Sequence, residues 1–207
     1  MRATVEIDGP AVMARVQKVI DDGRRFYEDL LERNDVLRVR GHARFRDGAL
    51  VVSGDGDEQV LRGVPTVLAV GARPWIAPIP GIEDASYLTS DDLLGLSDLP
   101  RSLAIGGAGP IAVEFAQALN RLGVEVTLVL RSDAPLRGEE PEARETLLRI
   151  LRHEGVRVVT GARQIATRDV PEGTEISWIG GRVAAEKVLL AMGRAPRLDE
   201  AAPAEAG

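Results

Sequence analysis

The stretch from Leu103 to Ser132, "LAIGGAGPIAVEFAQALNRLGVEVTLVLRS", constrains the fold of this chain more than any other. An apolar run ends at a pair of glycines, a segment with apolar residues at helical spacing follows at once, and a second apolar run rich in β-branched residues comes next. The order of strand, glycine-rich turn, helix and strand is typical of a βαβ unit with parallel strands. The sequence therefore predicts an α/β fold.

The turn has the pattern G-x-G-x-x-A, which is formed by Gly107, Ala108, Gly109, Pro110, Ile111 and Ala112. The first glycine permits a tight turn, the second lets a diphosphate approach the backbone, and the small last residue lets the helix pack closely on the strand. Unpaired N–H groups at the helix N-terminus attract phosphate, and proline suits the first helical position. We interpret the turn as a dinucleotide-binding site, with an ordinary β–α turn as the alternative.

The end of the second strand indicates which dinucleotide binds. A site for NAD(H) has a carboxylate there, which binds the ribose 2′-hydroxyl. This chain has Leu130 and Arg131 at that point, and Arg137 follows in the same loop. Guanidinium groups suit a 2′-phosphate because they form charge-assisted, often bidentate hydrogen bonds. We predict NADP(H), and NAD(H) stays open because arginine is frequent throughout the chain.

The rest of the pattern predicts the organisation of the chain. Beyond residue 101 the order is β-α-β-α-β, then an antiparallel meander and a last strand, which is a doubly wound nucleotide-binding arrangement. A helix at 11–33, short strands up to residue 74 and a proline-rich connector precede it, and Thr89 or Ser90 is the expected N-cap of a short helix. The predicted domains are 1–80, 81–197 and a flexible tail at 198–207.

Composition excludes several classes of function. The net charge of −6 disfavours nucleic acid, and the absence of cysteine excludes disulfides, thiolate metal sites and a redox dithiol within these 207 residues. No apolar run is long enough to span a membrane and no signal peptide is evident, so we expect a cytoplasmic protein. His42, expected in a loop, His153, near a helix end, and the isolated Trp75 and Trp178 are expected to have structural roles. No metal site is predicted.

With these motifs in view, the chain resembles the pyridine nucleotide-disulfide oxidoreductases, the flavoprotein family of glutathione reductase, dihydrolipoamide dehydrogenase and mercuric reductase. "TVLAVGARPWIAPIPGI" resembles the segment where the chain leaves the flavin domain, and "KVLLAMGRAPRLDE" resembles a second motif of that kind. Between them, "YLTSDDLLGLSDLPRSLAIGGAGPIAVEFAQ" resembles the entry into the nicotinamide-nucleotide domain. The resemblance implies a Rossmann-like FAD/NAD(P)-binding domain with a partial flavin domain, in an FAD-dependent oxidoreductase that passes a hydride from NADP(H) to flavin.

The resemblance also implies site residues. Those for the nucleotide and its diphosphate are Gly107, Ala108, Gly109, Ile111 and Ala112, and Glu114 would face the nicotinamide. Those for the 2′-phosphate are Arg131 and Arg137, and those near the nicotinamide ribose are Ala191, Gly193 and Arg194. Backbone contacts to the flavin would come from Gly41, Ala43, Ala69 and Gly71.

The chain also departs from the family pattern. Val70 and Met192 replace threonines, Pro110 stands where some members have a tyrosine, and Arg197 replaces an asparagine. The first glycine motif, the cysteine pair and the C-terminal dimerisation domain with its His–Glu pair are not in this sequence, so no catalytic residue is assigned. The alternative is therefore an NADP(H)-binding module, a split subunit or a remnant without catalysis of its own, which would pair with a chain that supplies the missing flavin and dimerisation parts. A third alternative is that residues 1–75 form an unrelated small domain.

Overall fold

The computed structural model of this protein describes residues 6–54, 56–63 and 65–205. The chain divides into two compact units. The first comprises the residues up to Val19 together with Pro74–Gly193, and the second comprises Ile20–Arg73 together with the residues from Arg194 onward. No helix in these described ranges combines the length and the apolar character needed to cross a membrane.

The helices are α1 (Gly9–Arg33), α2 (Ser90–Leu94), α3 (Pro110–Arg121), α4 (Pro141–His153) and α5 (Leu198–Ala201), and a 3₁₀ turn (Pro203–Glu205) follows α5. The strands are β1 (His42–Arg46), β2 (Ala49–Ser53), β3 (Gln59–Leu61), β4 (Ala72–Pro74), β5 (Ser102–Gly106), β6 (Glu125–Val129), β7 (Arg157–Val159), β8 (Ala166–Val170), β9 (Gly173–Trp178), β10 (Gly181–Ala185), β11 (Lys187–Leu190) and β12 (Arg194–Pro196).

The first unit is built on a parallel four-stranded sheet in the order β11-β5-β6-β7. The connections from β5 to β6 and from β6 to β7 contain α3 and α4, so the predicted β-α-β-α-β order is confirmed. The last strand, β11, returns to the far side of β5, and Leu189 there lies opposite Ile105. The strand order therefore reverses beside β5, and ligands of open α/β sheets bind at the carboxyl ends of the strands near such a reversal.

Both faces of this sheet are buried, which explains its nearly continuous apolar strands. Leu103 and Ile105 point to the side of the helices, where they pack with Ala112 and Ala116 of α3. Ala104, between them in sequence, belongs to a second cluster on the opposite face. That cluster includes residues of the antiparallel sheet β10-β9-β8, which is the predicted meander. Polar groups that could bind a ligand are therefore expected in the loops at the strand ends, because both faces of the sheet are covered.

A carboxylate ties the meander to the segment that precedes α2. Asp169 accepts hydrogen bonds from the backbone N–H of Ser86 at 2.9 Å, from the Ser86 hydroxyl at 2.8 Å and from the hydroxyl of the buried Thr174 at 2.9 Å. The bonds from the Ser86 backbone and hydroxyl, followed by that from Thr174, lower the pKa of Asp169. The charged form of Asp169 is therefore the form that stabilises this connection.

The N-terminus of α2 resolves the two alternatives for its cap in favour of Thr89. The backbone N–H of Asp92 donates to the Thr89 hydroxyl, and the Asp92 carboxylate accepts from the Thr89 backbone N–H at 2.8 Å. This reciprocal pair is a capping box, and the hydrogen bonds from the Thr89 hydroxyl and backbone lower the pKa of Asp92.

The second unit contains the antiparallel sheet β1-β2-β3. Asp47 and Gly48 connect β1 to β2 and both have positive φ, which is the geometry of a two-residue hairpin turn. From this turn, β1 and β2 pair without interruption as far as His42, which lies opposite Ser53. The expectation that His42 lies in a loop was therefore wrong, because the hairpin extends further than the sequence pattern indicated.

The predicted strand at 66–74 forms only in its last part, at β4, which pairs with β12. Residues 66–71 have irregular backbone, and Val67 is 88% exposed. A strand requires a neighbour for its N–H and C=O groups, and no strand of the described residues lies beside this segment. The segment has the apolar, β-branched composition of a strand, but among the described residues it has no neighbouring strand to pair with.

Residues 198–205, which belong to the predicted flexible tail, contain α5 and the 3₁₀ turn, and residues 206 and 207 lie outside the described residues. The guanidinium of Arg73 binds the carboxylates of Asp199 at 2.8 Å and Glu200 at 3.2 Å. Ala201 is buried, and the N–H of Gly48 donates to the carbonyl of Glu205 at 2.9 Å. These long-range contacts involve a segment whose small, acidic composition gives no local signal for them.

Candidate functional site

A cavity of the first unit has a volume of about 970 Å³ and lies at the carboxyl edge of the parallel sheet. Loops that follow all four strands contribute to its wall, at 107–111 after β5, 131–139 after β6, 162–165 after β7 and 191–193 after β11. Residues 75–80 complete the wall. The cavity therefore occupies the position at which this type of sheet binds its ligands.

The glycine-rich loop after β5 is held against its neighbours by its backbone. The N–H of Gly107 donates to the carbonyl of Val129 at 3.2 Å, and a Cβ at Gly107 would lie 2.3 Å from the carbonyl oxygen of Ala191. A Cβ at Gly109, in contrast, would meet nothing within 4 Å. The first glycine is thus required by the fold, whereas the second leaves open space beside the backbone.

The N-terminus of α3 faces this loop. Gly109 is the N-cap and Pro110 is the first helical residue, and no side chain accepts a hydrogen bond from the first N–H groups. Ala112 is fully buried beneath them, so the helix packs closely on β5. An uncapped helix N-terminus with open space before it carries partial positive charge and is suited to a phosphate.

The loop after β6 is fixed by several hydrogen bonds. The N–H of Leu136 donates to the carbonyl of Ala108 at 2.8 Å, although Leu136 has a φ of 54° that a branched side chain rarely adopts. The Arg144 guanidinium donates to the Pro135 carbonyl at 3.0 Å, and the Ser132 hydroxyl donates to the Ala134 carbonyl at 2.7 Å. The loop therefore has one conformation stabilised from both sides.

Charged side chains at the cavity are predominantly cationic. Three exposed arginines, Arg131, Arg137 and Arg163, line it together with one acid, Glu139. None of the three guanidinium groups has a hydrogen bond or an ion pair with another described residue. Unpaired guanidinium groups around a cavity are free to bind an anionic ligand.

The far end of the cavity lies at the end of β11. The N–H of Ala191 donates to the carbonyl of Gly106 at 2.9 Å, which joins this loop to β5. The N–H of Trp75 donates to the carbonyl of Gly193 at 3.0 Å, so the segment at 75–80 is fastened to the same loop. Apolar groups predominate here, and they include the Trp75 indole and Met192.

The cavity brings together most of the site residues predicted for the nucleotide. Eight of them line it or form its glycine loop, namely Gly107, Ala108, Gly109, Ile111, Arg131, Arg137, Ala191 and Gly193. Ala112 supports the loop from below. Glu114 is exposed on α3 and is not part of the cavity wall. Arg194 belongs to the second unit, where its guanidinium donates to the Ala72 carbonyl.

The four residues predicted to contact flavin lie in the second unit, and none of them lines the cavity described above. Gly41 is needed by its own hairpin, because a Cβ there would lie 2.5 Å from the carbonyl oxygen of Ser53. Ala43 is exposed on β1, and Ala69 and Gly71 lie in the exposed irregular segment before β4. A smaller cavity of about 350 Å³ in this unit contains none of them.

Among the residues of the cavity wall that sequence reasoning missed, Arg163 and Trp75 have the side chains best suited to bind a ligand. Arg163 follows β7, and the rule that parallel strands present their carboxyl ends at one edge was sufficient to find it. Trp75 was expected to serve packing or the connector, yet its side chain is 46% exposed and lines the cavity. The signal that could have found it is its position directly before a proline-rich segment that returns to the sheet edge.

Comparison with known proteins identifies the family. A profile described as pyridine nucleotide-disulphide oxidoreductase matches residues 4–207. The chain belongs to this family. The resemblance deduced from its motifs is thereby confirmed, and so is the fold class. Among curated relatives of this oxidoreductase-family chain, a mercuric reductase of Shigella flexneri is 37% identical over 93% of the chain, and a dihydrolipoyl dehydrogenase of Bacillus subtilis is 30% identical over 94%.

Solved structures agree with this assignment. The HOCl-induced flavoprotein disulfide reductase RclA of Escherichia coli superposes with a TM-score of 0.83 at 26% identity and covers 94% of this chain. LpdA of Mycobacterium tuberculosis has the same fold, with a TM-score of 0.84 over 99% of the chain. The family member described here spans 36% of the length of the Shigella relative and 45% of the RclA chain.

Proposed function

We propose that this chain binds NADP(H) at the carboxyl edge of its parallel sheet, as the nicotinamide-nucleotide part of an FAD-dependent oxidoreductase. The observation that carries the proposal is the cavity in which the glycine loop, the uncapped N-terminus of α3 and three unpaired arginines meet. Most of its wall belongs to the predicted nucleotide-binding domain at 81–197, and residues 75–80 supply the remainder.

The diphosphate of the coenzyme fits the space beside Gly109. No atom lies within 4 Å of a Cβ position there, so two phosphate groups have access to the backbone. The N–H groups at the start of α3 would donate to them, and the helix dipole would stabilise their charge. Ile111 and Ala112 belong to this first helical turn, and their predicted role is to supply backbone N–H groups and close packing.

The arginines support NADP(H) over NAD(H). Arg131 follows β6 directly, where a carboxylate would be expected for an unphosphorylated ribose, and Arg137 lies in the same loop. Arg163 adds a third cation from the loop after β7. A 2′-phosphate would replace water around these groups with charge-assisted hydrogen bonds, whereas NADH has no group to neutralise them.

Bound at this site, the reduced nicotinamide supplies a hydride for an acceptor, which in the intact family would be flavin. The work of this chain is to bind and orient the coenzyme, with Ala191 and Gly193 beside the nicotinamide ribose and Glu114 and Arg194 as further predicted contacts. None of the predicted flavin residues lines either of the two cavities described above, and we assign no flavin step to this chain alone.

The experiment that tests the coenzyme assignment exchanges Arg131→Glu and measures the Kd of NADPH and NADH by calorimetry. We expect NADPH to bind roughly tenfold or more weakly, about 1.4 kcal/mol, and NADH to be affected much less. Arg149→Glu on the exposed surface of α4 is the matched control, because it makes the same charge change away from the cavity. A variant at Arg131 that keeps its preference for NADPH would remove the basis of the 2′-phosphate assignment.

A second candidate is a binding module that acts only together with further polypeptide. It is favoured by the apolar side chains exposed on the second unit, above all Phe26, Tyr27, Leu37 and Val67, which are between 62% and 88% exposed. Where such side chains lie side by side, they form a surface of the kind that another chain or chain segment covers. In this case the purified chain would bind NADPH and show no flavin absorbance and no turnover, and a stoichiometric bound flavin would contradict it.

A further inference from the structure

Among the described residues that line the cavity, Trp75 is the one with an aromatic side chain. The residue is 46% exposed, so part of its large apolar ring system is accessible to a ligand. The other tryptophan, Trp178, lies outside the cavity wall and packs against the apolar cluster between the meander and the sheet. An exposed indole beside a binding cavity offers a flat apolar surface to a planar ligand group.

The order of the strands defines the end of the cavity at which Trp75 lies. Its backbone is bonded to Gly193 in the loop after β11, whereas Arg131 follows β6 on the other side of β5. Adjacent strands are about 4.8 Å apart, so the ends of β11 and β6 are separated by roughly 10 Å across the glycine loop. A dinucleotide with its phosphorylated ribose at Arg131 and its diphosphate at the glycine loop would therefore carry its second base to the β11 side.

We propose that the Trp75 indole stacks on the nicotinamide ring of the bound coenzyme and thereby fixes the position of that ring. This inference rests on the proposed function, since it uses the orientation that the arginines impose. The surrounding wall suits a stack, because Ala77, Pro78 and Met192 bring apolar surface and no charge to this end. Aromatic stacking contributes a modest, orientation-dependent share of affinity, which corresponds to roughly a three- to tenfold change in Kd.

The test combines a shortened side chain with a shortened ligand. Calorimetry on the full chain compares NADPH with 2′-phospho-ADP-ribose, which lacks only the nicotinamide ring. We expect Trp75→Leu to raise the Kd of NADPH roughly three- to tenfold and to leave that of the ringless analogue unchanged. Trp75→Phe, which keeps an aromatic ring, should restore most of the affinity. Thermal unfolding of each variant establishes that it is folded.

Fluorescence gives a second readout, because the chain has only these two tryptophans. In Trp178→Phe the emission comes from Trp75 alone, and NADP⁺ should quench it by contact. In Trp75→Phe the emission comes from Trp178, and the same ligand should leave it unchanged.

The outcomes separate this inference from the proposed function. If Trp75→Leu weakens both ligands equally, or weakens neither while the wild-type chain binds them, the stacking role is wrong and the coenzyme site stands. If the wild-type chain binds neither NADPH nor the analogue, the proposed function fails and the inference fails with it.

Discussion

The backbone N–H of Leu136 donates a 2.8 Å hydrogen bond to the carbonyl oxygen of Ala108. This bond joins the loop that carries Arg131 and Arg137 to the glycine loop. The cations and the backbone that we propose to bind the diphosphate are therefore held in fixed positions relative to each other before any ligand binds. A site ordered in advance loses less conformational entropy on binding, so more of the interaction energy appears as affinity.

The two glycines of the motif should respond differently to alanine. At Gly107 a Cβ would lie 2.3 Å from the Ala191 carbonyl oxygen, so Gly107→Ala should destabilise the chain by roughly 1–3 kcal/mol. At Gly109 a Cβ meets nothing, so Gly109→Ala should retain the wild-type Tm and weaken NADPH binding, because the methyl group enters the space for the diphosphate. Thermal unfolding and NADPH titration of both variants check this. An unchanged Kd in Gly109→Ala would show that the diphosphate does not lie there.

Salt should distinguish the two coenzymes. The three cavity arginines are exposed, so their attraction for a 2′-phosphate is screened as the Debye length falls from about 10 Å at 0.1 M salt to about 3 Å at 1 M. We expect the Kd of NADPH to rise with salt more steeply than that of NADH. In Arg131→Gln, the dependence of Kd on salt should become similar for the two coenzymes. Equal salt dependence of the two Kd values in the wild-type chain would argue against recognition of the 2′-phosphate by charge.

The stability of the first unit should decrease at low pH, because Asp169 becomes protonated there. The folded-state pKa of this carboxyl group is lowered, so its stabilisation is present above the ordinary value of 3.8 and is lost as the pH falls through the lowered pKa. Asp169→Asn should therefore lower the Tm at neutral pH, and its difference from wild type should shrink in acid. Asp84→Asn is the control, since Asp84 is exposed in the same unit. Equal Tm values of Asp169→Asn and wild type at pH 7 would contradict the role of the carboxylate.

The exposed apolar surface of the second unit should promote association. Leu37 and Val67, at 86% and 88% exposure, contribute most per residue. The double variant Leu37→Asp and Val67→Asp should bind less of a hydrophobic dye and sediment as smaller species, because it replaces apolar surface with charge. Ile179→Asp, at a 62% exposed position of the first unit, is the matched control. A wild-type chain that is strictly monomeric at high concentration would argue against a covered surface.

The first unit could be predicted well from the sequence because its signals are local. The glycine loop follows a fully apolar run, and Pro110 and Gly123 mark the two ends of α3, so the boundaries of the βαβ unit follow from the chain itself. The residues at the strand ends then define a site, because parallel strands share one carboxyl edge.

The second unit was harder to predict from the sequence because contacts between residues far apart in the chain determine its structure. The acidic side chains of α5, Asp199 and Glu200, form ion pairs with the distant Arg73, which no local pattern shows. The apolar segment around Val67 has the composition of a strand but lacks a partner among the described residues. The location of Trp75 at the cavity likewise depends on one backbone bond to Gly193.

The strand order has a consequence for how relatives of this chain could diverge. In the proposed binding mode, the side chains that would distinguish phosphorylated from unphosphorylated coenzyme follow β6, whereas Trp75 is bonded to the loop after β11. Because separate loops would perform these two tasks, substitutions in one loop should leave the other intact. Selection or a protein engineer could thus exchange the preferred coenzyme without altering the surface proposed for the nicotinamide ring.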